Sequence, residues 1–212
     1  MKISELPFMH EKESDFISSY LHPEATMLEW GSGGSTLFFS KLVKEYHSIE
    51  HDEKWSTEVQ KKIKENNLDN VEYYYVPSSQ PWERPRGWRQ IPNYPGTPTK
   101  LFKDYIDVID KIDKKFDFIL VDGRCRVQCG IKALPFLKDD GILFFHDFYP
   151  RKQFGYHNIL HYYDDFDRYR ETPQTVVALK KKKSYQNNKK VLSADEIIQE
   201  MAMIRILNSV RR

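Results

Sequence analysis

The sequence predicts an α/β fold: a Rossmann-like, doubly wound sheet of seven mostly parallel strands with helices on both faces. Three observations carry this. Short apolar runs alternate with amphipathic segments along the 212 residues, the order expected of strand–helix units. The central runs, above all Phe116–Val121, are apolar at nearly every position, as strands covered on both faces are. Residues suited to chemistry follow the strand ends, at Glu29–Ser35, Glu50–Asp52, Pro77–Ser78, Asp122–Arg126 and His146–Asp147, where sheets of this kind bind ligands.

Taken in order, residues 10–21 form a short helix that stops before Pro23. Ala25–Trp30 is a strand, Gly31–Ser35 a glycine turn, and Thr36–Lys44 a helix with Leu37, Phe38, Leu42 and Val43 as its apolar positions. Glu45–Glu50 is a second strand. Glu53–Asn66 is a helix with Trp55, Val59 and Ile63 at four-residue spacing. Val71–Val76 is a third, aromatic strand. Pro77–Pro98 carries six prolines, two tryptophans and three arginines, which suits a long ordered loop or lid. A helix over Thr99–Ile112 follows, then the strand Phe116–Val121, a helix over Val127–Leu137 and the strand Gly141–Phe145. Tyr156–Tyr163 reads as a helix. Tyr169 and Thr175–Leu179 read as two last strands or a hairpin around Thr172–Pro173, and Ser193–Asn208 as a helix with a Ser193/Glu196 capping box. The organisation is one domain over 1–212, with an N-terminal helical extension over 1–23, a lid over 77–98 and a C-terminal helix over 190–212.

Composition narrows the class. Lys+Arg 33 against Asp+Glu 31 leaves a net charge of +2, so nothing calls for nucleic acid as a partner. The basic run Lys180–Lys183 reads as a solvated loop. Cys125 and Cys129 stand four apart with no second pair, which suits small core residues of one helix face rather than zinc ligands. No run approaches membrane-span length and no signal-peptide pattern opens the chain. The expectation is a soluble, cytoplasmic protein, in the host cytosol if the source is viral, with no membrane partner.

The first strand, turn and helix read MLEWGSGGSTLFF. Glycine permits positive φ and a close approach of ligand to backbone. Glu50 ends the next strand 21 residues after Glu29, the spacing at which an acid meets a ribose diol. The turn lacks the third glycine of a dinucleotide fingerprint and the Gly-Lys-Ser/Thr of a P-loop. Glu29, directly before it, would repel a pyrophosphate and attract a cationic cofactor.

These residues resemble a known family. Glu29–Thr36 (EWGSGGST) is similar to motif I of class I S-adenosylmethionine-dependent methyltransferases. SIEHD resembles their acidic second motif, FDFILVDG the fourth, and DDGILFFHD the strand-five motif. The likeness covers about residues 24–150. It implies S-adenosylmethionine as cofactor. Glu29, Gly31 and Gly33 would surround its methionine end, Glu50 would take the ribose hydroxyls and His51 or Trp55 would sit near the adenine, with Ser32, Ser35, Thr36, Asp122 and Gly123 as further cofactor-binding residues.

The reacting end is expected at Asp122, His146 and Asp147, at the ends of two neighbouring strands. Methyl transfer to an alcohol needs a group to take the hydroxyl proton. His146 is one candidate, with Asp122 or Asp147 orienting it; Asp122 is the other, with His146 orienting. The same three residues could ligate a divalent metal, so metal is an open option. Their structural alternatives are helix caps at the two aspartates and a satisfied buried histidine.

Asp122–Cys125 does not match the Asn/Asp-Pro-Pro-Tyr/Phe of amino methyltransferases. With HDF and Arg151 it resembles enzymes that O-methylate sugar units of polysaccharides, among them the methyltransferase domains of glycan-building enzymes of large algal viruses. Trp88, Arg124, Arg126, Arg151 and Tyr156 are the candidate acceptor contacts, since aromatic faces stack on sugars and arginines bond hydroxyls. The expected partner is a glycan or another hydroxylated small molecule. The alternatives are methylation of RNA or protein, and a non-catalytic nucleotide-sugar binder.

Overall fold

A computed structural model describes residues 3–83, 85–86, 97–148, 155–169, 175–187 and 189–210, with backbone alone for 205–210. Seven strands form one sheet in the order β3-β2-β1-β4-β5-β7-β6. They are β1 (Thr26–Trp30), β2 (Glu45–Glu50), β3 (Val71–Tyr75), β4 (Phe116–Val121), β5 (Leu137–Phe145), β6 (Tyr163–Arg168) and β7 (Val177–Lys181). The first five pair in parallel, and β7 runs antiparallel between β5 and β6. The predicted doubly wound, mostly parallel sheet is what forms.

Successive side chains of a strand face opposite sides, and here both sides are buried. Leu28, Trp30, Ile119, Val121, Leu143 and Phe145 belong to one core; Met27, Phe118, Leu120, Ile142 and Phe144 belong to the other. Helix α1 (Glu11–Ser18) and α2 (Gly34–Phe39) close the second side through Ile17 and Phe39. On the first side lie α4 (Lys103–Asp107), α5 (Ile109–Ile112), α6 (Arg126–Lys132) and α7 (Ala194–Val210), whose Tyr105, Ile109, Val127 and Ile197 share its core. Helix α3 (Glu53–Glu65) packs Val59 on Leu37 and Ile3. No described helix is long and apolar enough to cross a membrane.

Several boundaries differ from the predicted ones. The helix expected over Thr36–Lys44 ends at Phe39 and tightens into a 3₁₀ turn over Ser40–Leu42, because Val43 is already extended (φ −132°). The helix expected over Thr99–Ile112 is a 3₁₀ turn followed by two short helices that stop at Asp113, in the left-handed region. Helix α6 ends at Lys132, and β5 begins at Leu137, four residues before the predicted Gly141. Tyr156–His161 is a 3₁₀ turn and Tyr163 already lies in β6. Lys181, read as part of a solvated run, is buried in β7 and bonds Leu137 O at 2.8 Å and Asp139 Oδ1 at 2.6 Å. Thr172–Pro173 falls outside the described residues.

Candidate active site

The bend after β1 is built on a buried acid. Glu29 is fully buried and accepts from Ser35 Oγ at 2.7 Å, Ser48 Oγ at 2.7 Å and Thr36 Oγ1. Burial raises its carboxyl to about 7, and these hydroxyls only partly oppose the shift. Glu29 thus lies beneath the bend and fixes the start of α2 to β2.

Three backbone amides of the bend are already satisfied. Gly31 N donates to Ile49 O at 2.9 Å, Ser32 N to Glu50 Oε2 at 3.2 Å, and Gly33 N to Thr36 Oγ1 at 3.1 Å. A phosphate-binding loop presents such amides to its ligand; this one has turned them onto protein oxygens. The glycines serve close approach. Gly31 has φ +103°, and a Cβ there would lie 2.6 Å from Gly123 Cα, so the β1 and β4 bends touch backbone to backbone. A Cβ on Gly33 would meet the Trp55 ring at 3.3 Å, and Trp55 Nε1 donates to Ser32 O at 2.6 Å. Trp55 is therefore a wall of the bend, although its helix also faces the Val59 cluster.

Glu50 is buried at the end of β2 and accepts from His51 N at 2.7 Å and Asp52 N at 2.8 Å. His51 Nδ1 lies 2.6 Å from the same carboxylate, and its Nε2 accepts from Arg124 Nε at 3.3 Å. Arg124 in turn lies 5.6 Å over the Trp82 ring, which packs edge-on against Phe102. So Arg124 links the ribose-type acid to the first residues of the predicted lid.

Beyond β4 and β5 the three predicted catalytic residues meet. His146 Nδ1 lies 2.8 Å from Asp122 Oδ1. Arg126 contacts Asp122 at 2.9 Å and Asp147 at 3.3 Å, and donates to His146 O at 2.7 Å and Gly123 O at 3.1 Å. Its guanidinium is thus turned inward, into the cluster rather than toward an acceptor. Tyr156 stacks 5.9 Å from that guanidinium. Burial by itself would lower His146, but Asp122 and Glu13 outweigh it and raise the imidazolium to about 9. Asp122 keeps 21% of its side chain exposed against 4% for His146. Cys125 and Asp147 both adopt left-handed φ, at 50° and 59°, a costly conformation that clusters at functional sites. Burial pushes the Cys125 thiol up to about 12, so it is no nucleophile at neutral pH.

One member of this cluster was not anticipated. Glu13 of α1 is fully buried, with Oε2 3.5 Å from His146 Nε2. The signal lay in the helix pattern: Glu13 shares the inward face with Ile17, four residues on. Trp88 and Arg151, predicted at the acceptor, and half of the lid fall outside the described residues.

Residues 28–148 match the family described as Methyltransferase domain. The chain belongs to this methyltransferase family. It is a methyltransferase that uses S-adenosylmethionine. Among solved structures it is similar to a methyltransferase-like protein of Silicibacter pomeroyi, with 20% identity and TM-score 0.62 over 84% of this chain and 90% of that one. A Streptococcus mutans protein solved in complex with SAH gives 15% identity and TM-score 0.54 over 81% and 97%. An rRNA methylase of Streptococcus thermophilus gives 12% identity and TM-score 0.56 over 82% and 98%. No curated protein matches the sequence.

The residues suit this cofactor: Glu29 and Glu50 flank the bend, and the amides of Gly31, Ser32 and Gly33 already donate to protein oxygens. The metal option fits less well. One ligand atom each from Asp122, His146 and Asp147 come within 4.8 Å of one another. Arg126 already joins both carboxylates, and His146 holds its proton at neutral pH; a divalent ion would have to displace both.

Proposed function

We propose that this methyltransferase transfers its methyl group to a hydroxyl of a sugar or glycan unit. The observation that carries the reading is Asp122, the most exposed member of a buried ionic cluster, held by Arg126 and His146 beside the Gly31–Gly123 contact. The bound cofactor supplies an electrophilic methyl on a cationic sulfur. Asp122 would accept a hydrogen bond from the acceptor hydroxyl, aim its lone pair, and take the proton as that oxygen becomes positive. An ion-paired carboxylate is a weak base. A weak base suffices here, because the oxygen's proton becomes strongly acidic only as the new C–O bond forms. His146 orients Asp122; protonated below about pH 9, it has no lone pair to act as base at neutral pH. Glu50 would take the ribose hydroxyls, with Trp55 and His51 on either side of it. Trp82 under Arg124 offers a ring face and a guanidinium at the rim, a pairing suited to a sugar.

The test is tritiated methyl transfer to a panel of methyl glycosides and uronic acids, with RNA and protein beside them. Label is expected in glycosides, alkali-stable as an ether is, and unchanged by EDTA. Label in RNA or protein alone would replace the acceptor class, and a rate abolished by EDTA would replace Asp122 as proton acceptor with a metal-bound oxygen.

A further inference from the structure

Glu13 is a carboxylate with no exposed surface on a helix of eight residues. Burying a charge is costly unless it is paired, so its partners say what it does. One is local: Oε2 accepts from His10 N at 3.0 Å, half of a capping box at the start of α1. Another is remote: the same oxygen faces His146 Nε2 at 3.5 Å, while His146 Nδ1 holds Asp122 at 2.8 Å. Strand register explains the meeting. His146 continues the side of Ile142 and Phe144, and Asp122 that of Phe118 and Leu120, and this is the core that α1 covers with Ile17.

The chain before α1 is anchored too. Ile3 is buried with Leu37 and Val59, and a Cβ on Gly34 would collide with the carbonyl oxygen of Leu6. Residues 3–13 therefore run from the cofactor bend to the catalytic cluster.

We propose that Glu13 is a positioning residue for methyl transfer: it fixes the far side of the His146 ring, so that the near side holds the Asp122 carboxylate toward the acceptor. This rests on the reading of Asp122 given above. A cap alone needs only an acceptor oxygen, which glutamine also provides; positioning a cationic ring needs the negative charge.

Glu13→Gln separates the two roles. It is expected to lower turnover roughly 10- to 100-fold on whichever panel acceptor the wild type methylates, with S-adenosylhomocysteine affinity within about twofold. In an Asp122→Asn background it is expected to lower turnover no further, since residues that act as a unit are non-additive. Wild-type turnover in Glu13→Gln, or an undiminished loss in the Asp122→Asn background, would overturn the proposal. Should the wild type bind S-adenosylhomocysteine yet label no hydroxyl acceptor, the acceptor reading fails. Glu13 is then judged by unfolding midpoints: shifts for Glu13→Gln and His146→Gln that fall short of additive uphold the clamp, and additive shifts refute it.

Discussion

Glu50 does more structural work than its motif position suggests. Its carboxylate gathers Ser32 N, His51 N and Asp52 N, so it shapes the bend on which the proposed ribose contact would depend. Removing it leaves buried donors without their acceptor, each at a cost of roughly 1–3 kcal/mol. Glu50→Ala should therefore weaken S-adenosylhomocysteine binding by about 10- to 100-fold and also lower the melting temperature. Calorimetry checks the first; unchanged affinity would remove Glu50 from the site. At this scale the sequence was informative where spacing encodes chemistry. Glu29, Glu50, Asp122 and His146 all lie at or just past strand ends, and a strand end fixes where a side chain emerges. It was uninformative about partners. Nothing in the order of residues says that Glu29 is saturated by three hydroxyls, that Arg126 turns inward, or that Glu13 reaches His146 across 133 residues, because each depends on packing between distant segments.

Among the elements, the strands predicted best are those buried on both faces. Phe116–Val121 has the predicted limits because its apolar run leaves no choice of register. The strand expected at Tyr169 forms earlier, over Tyr163–Arg168, and its limits were missed because it is an edge: YDDFDR pairs on one side only, and acids that keep it in water have low strand propensity. The first four residues of β5 were missed for the same reason, since Lys138, Asp139 and Asp140 are polar and partly or wholly exposed. The segment before α1 supplies an element-scale test. It crosses α2 so closely that Gly34 has no room for a side chain against the Leu6 carbonyl. Backbone cannot swing aside as a side chain can, so Gly34→Ala should displace residues 3–9, at a cost of about 1–3 kcal/mol. Limited proteolysis reads this directly: cleavage near Leu6 should appear in the variant and not in the wild type, and identical digests would contradict the packing.

For the whole molecule, the buried ionisable groups predict how stability depends on pH. Burial raises Glu29 from 4.5 to about 7, and Asp122 with Glu13, against burial, raises His146 from 6.5 to about 9. A group whose pKa is higher folded than unfolded binds its proton more tightly when folded, and its contribution is lost as pH rises. Glu29 should lose its share between about pH 4.5 and 7, and His146 between about 6.5 and 9, each amounting to roughly 3 kcal/mol. Urea midpoints should fall from pH 5 to pH 9, and Glu29→Gln should abolish the earlier step alone; a flat profile would contradict both assignments. The bend and the buried cluster lie side by side at the carboxyl ends of β1, β2, β4 and β5, and the proposed chemistry depends on where the cofactor lies against them. A crystal structure of the S-adenosylhomocysteine complex tests that most directly. It should show the ribose hydroxyls on Glu50 and the sulfur facing Asp122. A nucleoside lodged elsewhere, or a sulfur turned away from Asp122, would contradict it.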